Sequence, residues 1–288
     1  MQIVSKELSF TYNPKSQFKK QALKDISLTI NEGDFFGIIG QTGSGKSTFI
    51  QHLNGLIPVQ SGHLTVGDFD LSLKNKKDKK KMYNLRSKVG MVFQYPESQL
   101  FAETVFEDVA FGLRNFFPEK TEQEIEVRVK EAIELVGLDY DVVKNKSPFE
   151  LSGGQKRRVA IAGVLVTEPE VLVLDEPVAG LDPVGKRKLM NLLHSIHGGK
   201  LKTIVIVSHD MDEVVENCNR VAVFSKGQLL RVDTPKNIFS NEELLKESGL
   251  ELPITAKMLK ILNGRGVDID SELKIIDFIN AVKDKYLN

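Results

Sequence analysis

The chain has almost no cysteine. Among its 288 residues only Cys218 carries a thiol. No internal disulfide can form, so the fold must hold by packing. A single thiol fits a reducing compartment, and as a small apolar side chain it reads as a core residue. Net charge is missing as well, because 39 Lys and Arg balance 39 Asp and Glu. Nucleic-acid binders are usually basic, so no nucleic-acid partner is expected. No apolar run approaches the ~20 residues that cross a bilayer. The start, Met1-Gln2-Ile3-Val4-Ser5, lacks the basic and apolar regions of a signal peptide. Any membrane role has to come through a partner. No internal repeat stands out. The one biased stretch is lysine-rich, from Lys74 to Lys81. It reads as a solvated loop or helix face, with contact to anionic lipid headgroups as the alternative.

Residues 1–40 alternate and then run apolar, which predicts several strands. Phe35 to Gly40 reads as a buried strand and Ser47 to Leu56 as the helix after it. A further strand is expected from Val89 to Phe93. Tyr95 to Gly137 reads as mostly helical, with a capped start at Thr121-Glu122-Gln123-Glu124. A helix follows Gly154. Val171 to Leu174 and Thr203 to Val207 are short apolar β runs, and the chain finishes its strands after Gly227. This alternation predicts a parallel sheet of the α/β class, with ligands at the C-terminal ends of the strands. From Pro235 the chain turns helical, with Leu259, Leu262, Leu273, Ile276, Ile279 and Val282 at helical spacing.

Between the first buried strand and its helix stands Gly40-Gln41-Thr42-Gly43-Ser44-Gly45-Lys46-Ser47, a P-loop. Its glycines let backbone N–H groups turn inward on phosphate oxygens. Lys46 brings a charge to the β- and γ-phosphates, and Ser47 a hydroxyl for Mg²⁺. Asp175 ends the strand Val171 to Leu174, where a carboxylate serves Mg²⁺. Glu176, next to it, is the candidate general base. His209 follows the strand Thr203 to Val207, where an imidazole can contact the γ-phosphate and orient water. Gln94 follows another strand and offers an amide oxygen to Mg²⁺ or water. Tyr12 is either core or an adenine-stacking ring. Leu151-Ser152-Gly153-Gly154-Gln155 is a glycine turn that opens a helix and suits an anion.

Together these strings resemble the ATP-binding-cassette (ABC) ATPases over residues 1 to about 235. The resemblance implies a P-loop NTPase core with an antiparallel β subdomain and a helical subdomain, about residues 95–165. It implies two cassettes paired head to tail, with Lys46 and Ser47 of one facing Ser152 and Gly154 of the other across the γ-phosphate of one ATP, and with Thr48, Gly153 and Gln155 among the nucleotide-binding residues. Ala179-Gly180-Leu181-Asp182-Pro183 matches the D-loop at that interface. His209 matches the switch histidine, Gln94 the Q-loop glutamine, Glu176 the catalytic glutamate and Tyr12 the adenine-stacking aromatic. Val178 departs from the usual Thr or Ser and loses a hydroxyl.

A narrower likeness rests on Gln94-Tyr95-Pro96-Glu97-Ser98-Gln99-Leu100-Phe101, on Thr104 to Gly112, and on Ser248 to Thr255. These resemble the ATPase subunits of energy-coupling factor transporters. Lys156 to Leu165 is more similar to the second of the two paralogous ATPases. That likeness implies a peripheral ATP hydrolase on the cytoplasmic face of the cell membrane, powering uptake of vitamins or transition-metal ions. Its implied partners are a second ABC ATPase, forming a heterodimer, and a transmembrane coupling protein whose helix enters a groove after Gln94. A membrane substrate-binding subunit joins indirectly. Leu100, Phe101 and Phe106 are either anchors in that groove or core. The implied division is an ATPase domain at 1–234 and a C-terminal dimerisation domain at 235–288. Rival readings are the ATPase of another ABC transporter, a soluble non-transport cassette, and a degenerate cassette that only binds ATP. One cassette, one cysteine and no long heptad run weigh against the soluble class. Glu176 and His209 weigh against the degenerate one.

Overall fold

The computed structural model describes residues 1–72, 79–267, 269 and 273–286. β1 (Ile3–Tyr12) and β2 (Lys20–Ile30) form an antiparallel pair, β3 (Phe35–Ile39) dives into the interior, and α1 (Lys46–Leu53) follows the P-loop. β4 (Ser61–Val66) and β5 (Phe69–Asp70) return to the first sheet. Next come α2 (Lys79–Lys88), β6 (Val89–Val92), α3 (Val105–Phe116), α4 (Glu122–Leu135), α5 (Tyr140–Val143) and α6 (Gly153–Leu165). β7 (Val171–Asp175), α7 (Pro183–Ile196), β8 (Thr203–Val207), α8 (Met211–Asn217), β9 (Arg220–Ser225) and β10 (Gln228–Asp233) complete the sheet region. Four helices close the chain: α9 (Pro235–Phe239), α10 (Glu242–Ser248), α11 (Ile254–Gly264) and α12 (Ile275–Tyr286).

The strands form two sheets. One is antiparallel, in the order β2-β1-β4-β5; the other runs β10-β9-β3-β8-β7-β6. In the second, β9, β3, β8, β7 and β6 are parallel neighbours and β10 pairs antiparallel with β9 at the edge. β3, β7 and β8 are buried at every position, which is why they read as unbroken apolar runs. Alternation survives in which core each residue serves. Phe36, Ile38, Val173 and Val205 face a core shared with α1 and the antiparallel sheet. Phe35, Ile39, Leu174 and Ile206 face the helices.

Local signals place the helices. Thr121 caps α4 in a reciprocal capping box with Glu124, as the sequence predicts. Pro235 sits at the first position of α9, with Thr234 as its cap. α1 runs from Lys46 to Leu53, starting one residue and ending three residues earlier than the apolar spacing indicates; the chain leaves the helix at Asn54-Gly55. Of the last two strands, β9 ends before Gly227 and β10 follows it. The lysine-rich run from 74 to 78 lies outside the described residues, and its last lysines begin α2.

The C-terminal helices lean on the helix-side core. Ile238, Phe239, Leu244, Leu245 and Leu273 join the helix-side core. Pro253, which precedes α11, has no side-chain cap to offer; instead Ile254 N donates to Asp212 Oδ1 of α8 at 2.7 Å. Ile275 N, at the start of α12, donates to Glu216 Oε1 at 2.6 Å. Two carboxylates one turn apart on α8 thus cap two other helices.

Candidate functional site

Parallel pairing brings the strand ends together. Val92 of β6 stands beside Leu174 of β7, and Asp175 beside Val207 of β8. The residues just beyond these ends, Gln94, Glu176 and His209, therefore meet. Gln94 Nε2 donates to Glu176 Oε2 at 2.9 Å, and His209 Nδ1 lies 3.4 Å from Glu176 Oε1. Glu176 holds a left-handed backbone at φ 48°, a conformation such residues adopt only when their surroundings impose it. Gln94, Glu176 and His209 share a cleft of about 760 Å³ with Gly40, Thr42 and Lys46 of the P-loop.

The P-loop wraps the start of α1. Gly45 caps the helix with φ 105° and supplies no side chain, so the first N–H groups of α1 have no acceptor within the helix. A Cβ on Gly45 would lie 2.6 Å from the Ala22 carbonyl oxygen, and one on Gly40 would lie 2.1 Å from that of Phe224. Lys46 is buried, and its Nζ donates to Gly40 O at 2.7 Å and Gln41 O at 3.0 Å. Burial lowers its pKa, while Glu176 and Asp175 oppose the shift. Burial raises the Asp175 carboxyl; a hydrogen bond from the Ser47 hydroxyl works the other way, and the charge on Glu176 raises it further. The Ser44 hydroxyl is sealed from solvent and has no partner among the described residues.

The remaining predicted residues fall in two places. Tyr12 lies beside α1, its hydroxyl 3.2 Å from Thr48 Oγ1 and its ring edge-on to Phe10. Ser152 and Gln155 form a reciprocal capping box at the start of α6. Ser152, Gly153 and Gly154 are exposed there, and none of Ser152 to Gln155 lines the P-loop cleft. Within one chain, the two phosphate-type loops are not brought together. From α6, Arg157 Nη1 reaches the D-loop, donating to Ala179 O at 2.7 Å. Val178 is buried in the helix-side core. Leu100 is buried too, whereas Phe101 is 60% exposed and stacks edge-on with the exposed Phe111. Phe106 is half-buried against the core.

Sequence reasoning missed one wall of the cleft. Gly249, Leu250, Glu251 and Leu252 line it from the C-terminal region, and Gln41 Nε2 of the P-loop points at Gly249 O, 3.4 Å away. The one signal was the likeness of the Ser248 to Thr255 stretch to a transporter ATPase.

The ABC transporter family profile matches residues 23–179. The energy-coupling factor transporter ATP-binding protein EcfA2 of Clostridioides difficile (strain 630) is 46% identical over 96% of this chain and 94% of its own. The protein of the same name from Symbiobacterium thermophilum is 48% identical over 96% and 93%. Among solved structures, cbiO1 of Clostridium perfringens, described as part of the ABC transporter complex cbiONQ, covers 90% of this chain and 98% of its own, with a TM-score of 0.72 and 37% identity. The ATP-binding cassette MJ0796, a dimer in a post-hydrolysis state bound to ADP and Pi, matches with a TM-score of 0.72 and 29% identity over 81% and 98%. With the P-loop, Glu176 at a strand end and His209 gathered on one cleft, these likenesses have a chemical basis: the chain belongs to the ABC transporter family, among the ATP-hydrolysing subunits of energy-coupling factor importers.

Proposed function

We propose that this chain works on the cytoplasmic face of the cell membrane, powering uptake of vitamins or transition-metal ions through a transmembrane coupling protein. The observation that carries the catalytic part is the contact of Gln94 and His209 with Glu176, at the end of the cleft that holds Lys46.

ATP lies with its phosphates on the N–H groups from Thr42 to Thr48, its γ-phosphate toward Lys46 and its adenine toward Tyr12. Lys46 exchanges its carbonyl partners for phosphate oxygens. Glu176 takes a proton from the attacking water as the water oxygen bonds to the γ-phosphorus and the bond to the β-γ bridging oxygen breaks, leaving ADP and phosphate. His209 contacts the γ-phosphate and holds the water in line. Such positioned acid–base groups contribute about 10²–10⁴-fold.

The donors suit Mg²⁺. Ser47 and Asp175 already share a hydrogen bond, the Gln94 amide supplies another oxygen, and a carboxylate kept basic by burial is a fitting ligand. A magnesium site needs only one or two carboxylates, with phosphates and water as the other donors. Bound there, the ion neutralises charge on the transferring phosphoryl group.

Ser152, Gly153, Gly154 and Gln155 serve the ATP of a second cassette, a paralogue in a heterodimer. Their exposure at the start of α6, away from their own P-loop, supports this. The exposed Phe101–Phe111 pair supports a groove for a helix of the coupling protein, as Phe101 is free to dock where Leu100 is not. Residues 1–234 form the ATPase domain and 235–288 the dimerisation domain, which keeps the two cassettes associated when ATP leaves.

The test is a pull-down of the tagged chain from gently solubilised native membranes, with mass spectrometry of its partners. A second cassette ATPase, a multi-span coupling protein and small membrane-embedded binding subunits are expected. Nucleic-acid or ribosomal partners alone would overturn the transporter assignment and leave the ATPase chemistry in place.

A further inference from the structure

Glu213 takes no part in the chemistry above, yet it is a half-buried carboxylate behind the site, with its Oε1 sealed from solvent. We propose that Glu213 is a positioning residue for hydrolysis: through the Ser208 hydroxyl it fixes the Ser208–His209–Asp210 turn, and so sets where the His209 imidazole stands beside Glu176. The inference rests on the role given to His209.

The turn is held by a closed ring of hydrogen bonds. Asp210 is the N-cap of α8, and its Oδ1 accepts from Glu213 N at 3.2 Å. In an ordinary capping box the glutamate side chain would reach back to the N–H of the cap residue. Here the Ser208 hydroxyl stands between them. Asp210 N donates to Ser208 Oγ at 3.1 Å, and Ser208 Oγ donates to Glu213 Oε2 at 2.8 Å. A hydroxyl has one proton to give. Glu213 takes it, which turns a Ser208 lone pair toward the Asp210 N–H, and His209 is the residue the ring spans.

The ring is anchored on both sides. Ser208 is buried and its N donates to Ile38 O at 3.3 Å, on the strand that enters the P-loop. Asp210 Oδ2 pairs with Lys186 Nζ of α7 at 2.9 Å. The His209 side chain itself is 68% exposed and has Glu176 as its charged neighbour. With its one ion-pair contact, to Glu176, at 3.4 Å among the described residues, the imidazole depends on the backbone behind it for its place.

Glu213 is also a poor choice for a residue that only fills space. Its Oε1 is sealed from solvent with no hydrogen-bond partner among the described residues, and an unsatisfied buried acceptor weakens a fold. Burial pushes its carboxyl up to about 7. The charged groups around it are Asp210 at the head of its own helix, Lys186 from α7 and His209 in the turn, with the Cys218 thiol nearby. Either protonation state can accept the Ser208 proton on Oε2, so the ring does not depend on the charge.

The experiment is steady-state ATP hydrolysis by the complex recovered from membranes, with ATP varied at fixed excess Mg²⁺. Six forms are compared: unaltered, Glu213→Ala, Glu213→Gln, Ser208→Ala, His209→Ala, and His209→Ala with Glu213→Ala. Glu213→Ala is expected to lower kcat by about tenfold or more, with KM for ATP within about threefold. Glu213→Gln keeps an amide oxygen for the Ser208 hydroxyl and should return kcat to within about threefold of the unaltered protein. Ser208→Ala should match the loss in Glu213→Ala, and it serves as the test if that variant does not fold. In the His209→Ala background, Glu213→Ala should add less than about twofold, because residues acting as one unit are not additive. Full turnover in Glu213→Ala or Ser208→Ala beside an impaired His209→Ala overturns this inference alone. So does a multiplicative loss in the double variant, or a Glu213→Gln as slow as Glu213→Ala. Full turnover in His209→Ala removes the role of His209 and this inference with it.

Discussion

Replacing Asp212 and Glu216 by alanine should loosen the C-terminal helices and leave the central sheet intact. Asp212 Oδ1 receives the Ile254 N–H of α11 at 2.7 Å and Glu216 Oε1 the Ile275 N–H of α12 at 2.6 Å. Loss of such a cap costs about 1 kcal/mol. Each is also a negative charge at a helix N-terminus, which adds ~0.5 kcal/mol. The double variant should therefore lose ~3 kcal/mol of the free energy that holds α11 and α12 in place. At 1.4 kcal/mol per factor of ten, local opening becomes about a hundredfold more frequent. Hydrogen–deuterium exchange of the full chain, read by mass spectrometry, reports this region by region. Peptides covering 254–264 and 275–286 should exchange about a hundredfold faster, and those covering β3 and β7 should be unchanged. Asp212→Asn keeps the acceptor and loses the charge, so it should recover most of the protection at α11. Unchanged exchange at both helices would refute the capping argument. Faster exchange everywhere would refute its local character.

Glu176→Gln should bind ATP and lose about 10²–10⁴-fold in turnover, accumulating as an ATP-bound dimer by size exclusion; normal turnover would remove Glu176 from its role. Gly45→Ala places a Cβ 2.6 Å from a backbone oxygen at φ 105° and should weaken ATP binding by at least about tenfold in calorimetry; unchanged affinity would show that the loop tolerates another path. Val178→Thr buries a hydroxyl in an apolar core and should lower Tm by a few degrees with turnover unchanged; a higher Tm would reveal an acceptor in reach. Glu213 binds its proton more tightly in the folded chain, at about 7 against 4.5 for the free group. Between those values folding takes up a proton, so this group makes stability fall as pH climbs. Glu213→Gln removes that slope, and its Tm should rise relative to the unaltered protein between about pH 4.5 and about pH 7. A constant difference would contradict the buried carboxyl.

The chemistry was legible because it is local. Lys46, Asp175, Glu176 and His209 each follow an unbroken apolar run, and parallel pairing sends the ends of such runs to one edge. Gln94 followed by the same rule, and its contact with Glu176 needed only the neighbouring order of β6 and β7. What escaped has no periodicity to betray it. Gly249 to Leu252 reach the cleft as an irregular segment, guided by contacts made some 200 positions away in the chain. The capping of α11 and α12 by α8 was hidden because Asp212 and Glu216 look like any acidic face of a short helix. Leu100 and Phe101 are adjacent and both apolar, yet one is buried and the other exposed. No helical or strand period sorts residues after the short 3₁₀ turn at Pro96–Gln99.

The order of strands in the central sheet bears on how the chain is made. β3 is synthesised early, but its neighbours are β8 and β9, with Phe35 beside Ile204 and Phe36 beside Arg220. At translation rates of about 5–20 residues per second, β3 waits roughly 10–30 seconds for either of them. Through that interval Phe35, Phe36, Ile38 and Ile39, all buried in the finished fold, have no strand beside them. The nascent chain therefore presents its P-loop strand as a sticky, unpaired edge, the kind of segment chaperones shield during synthesis.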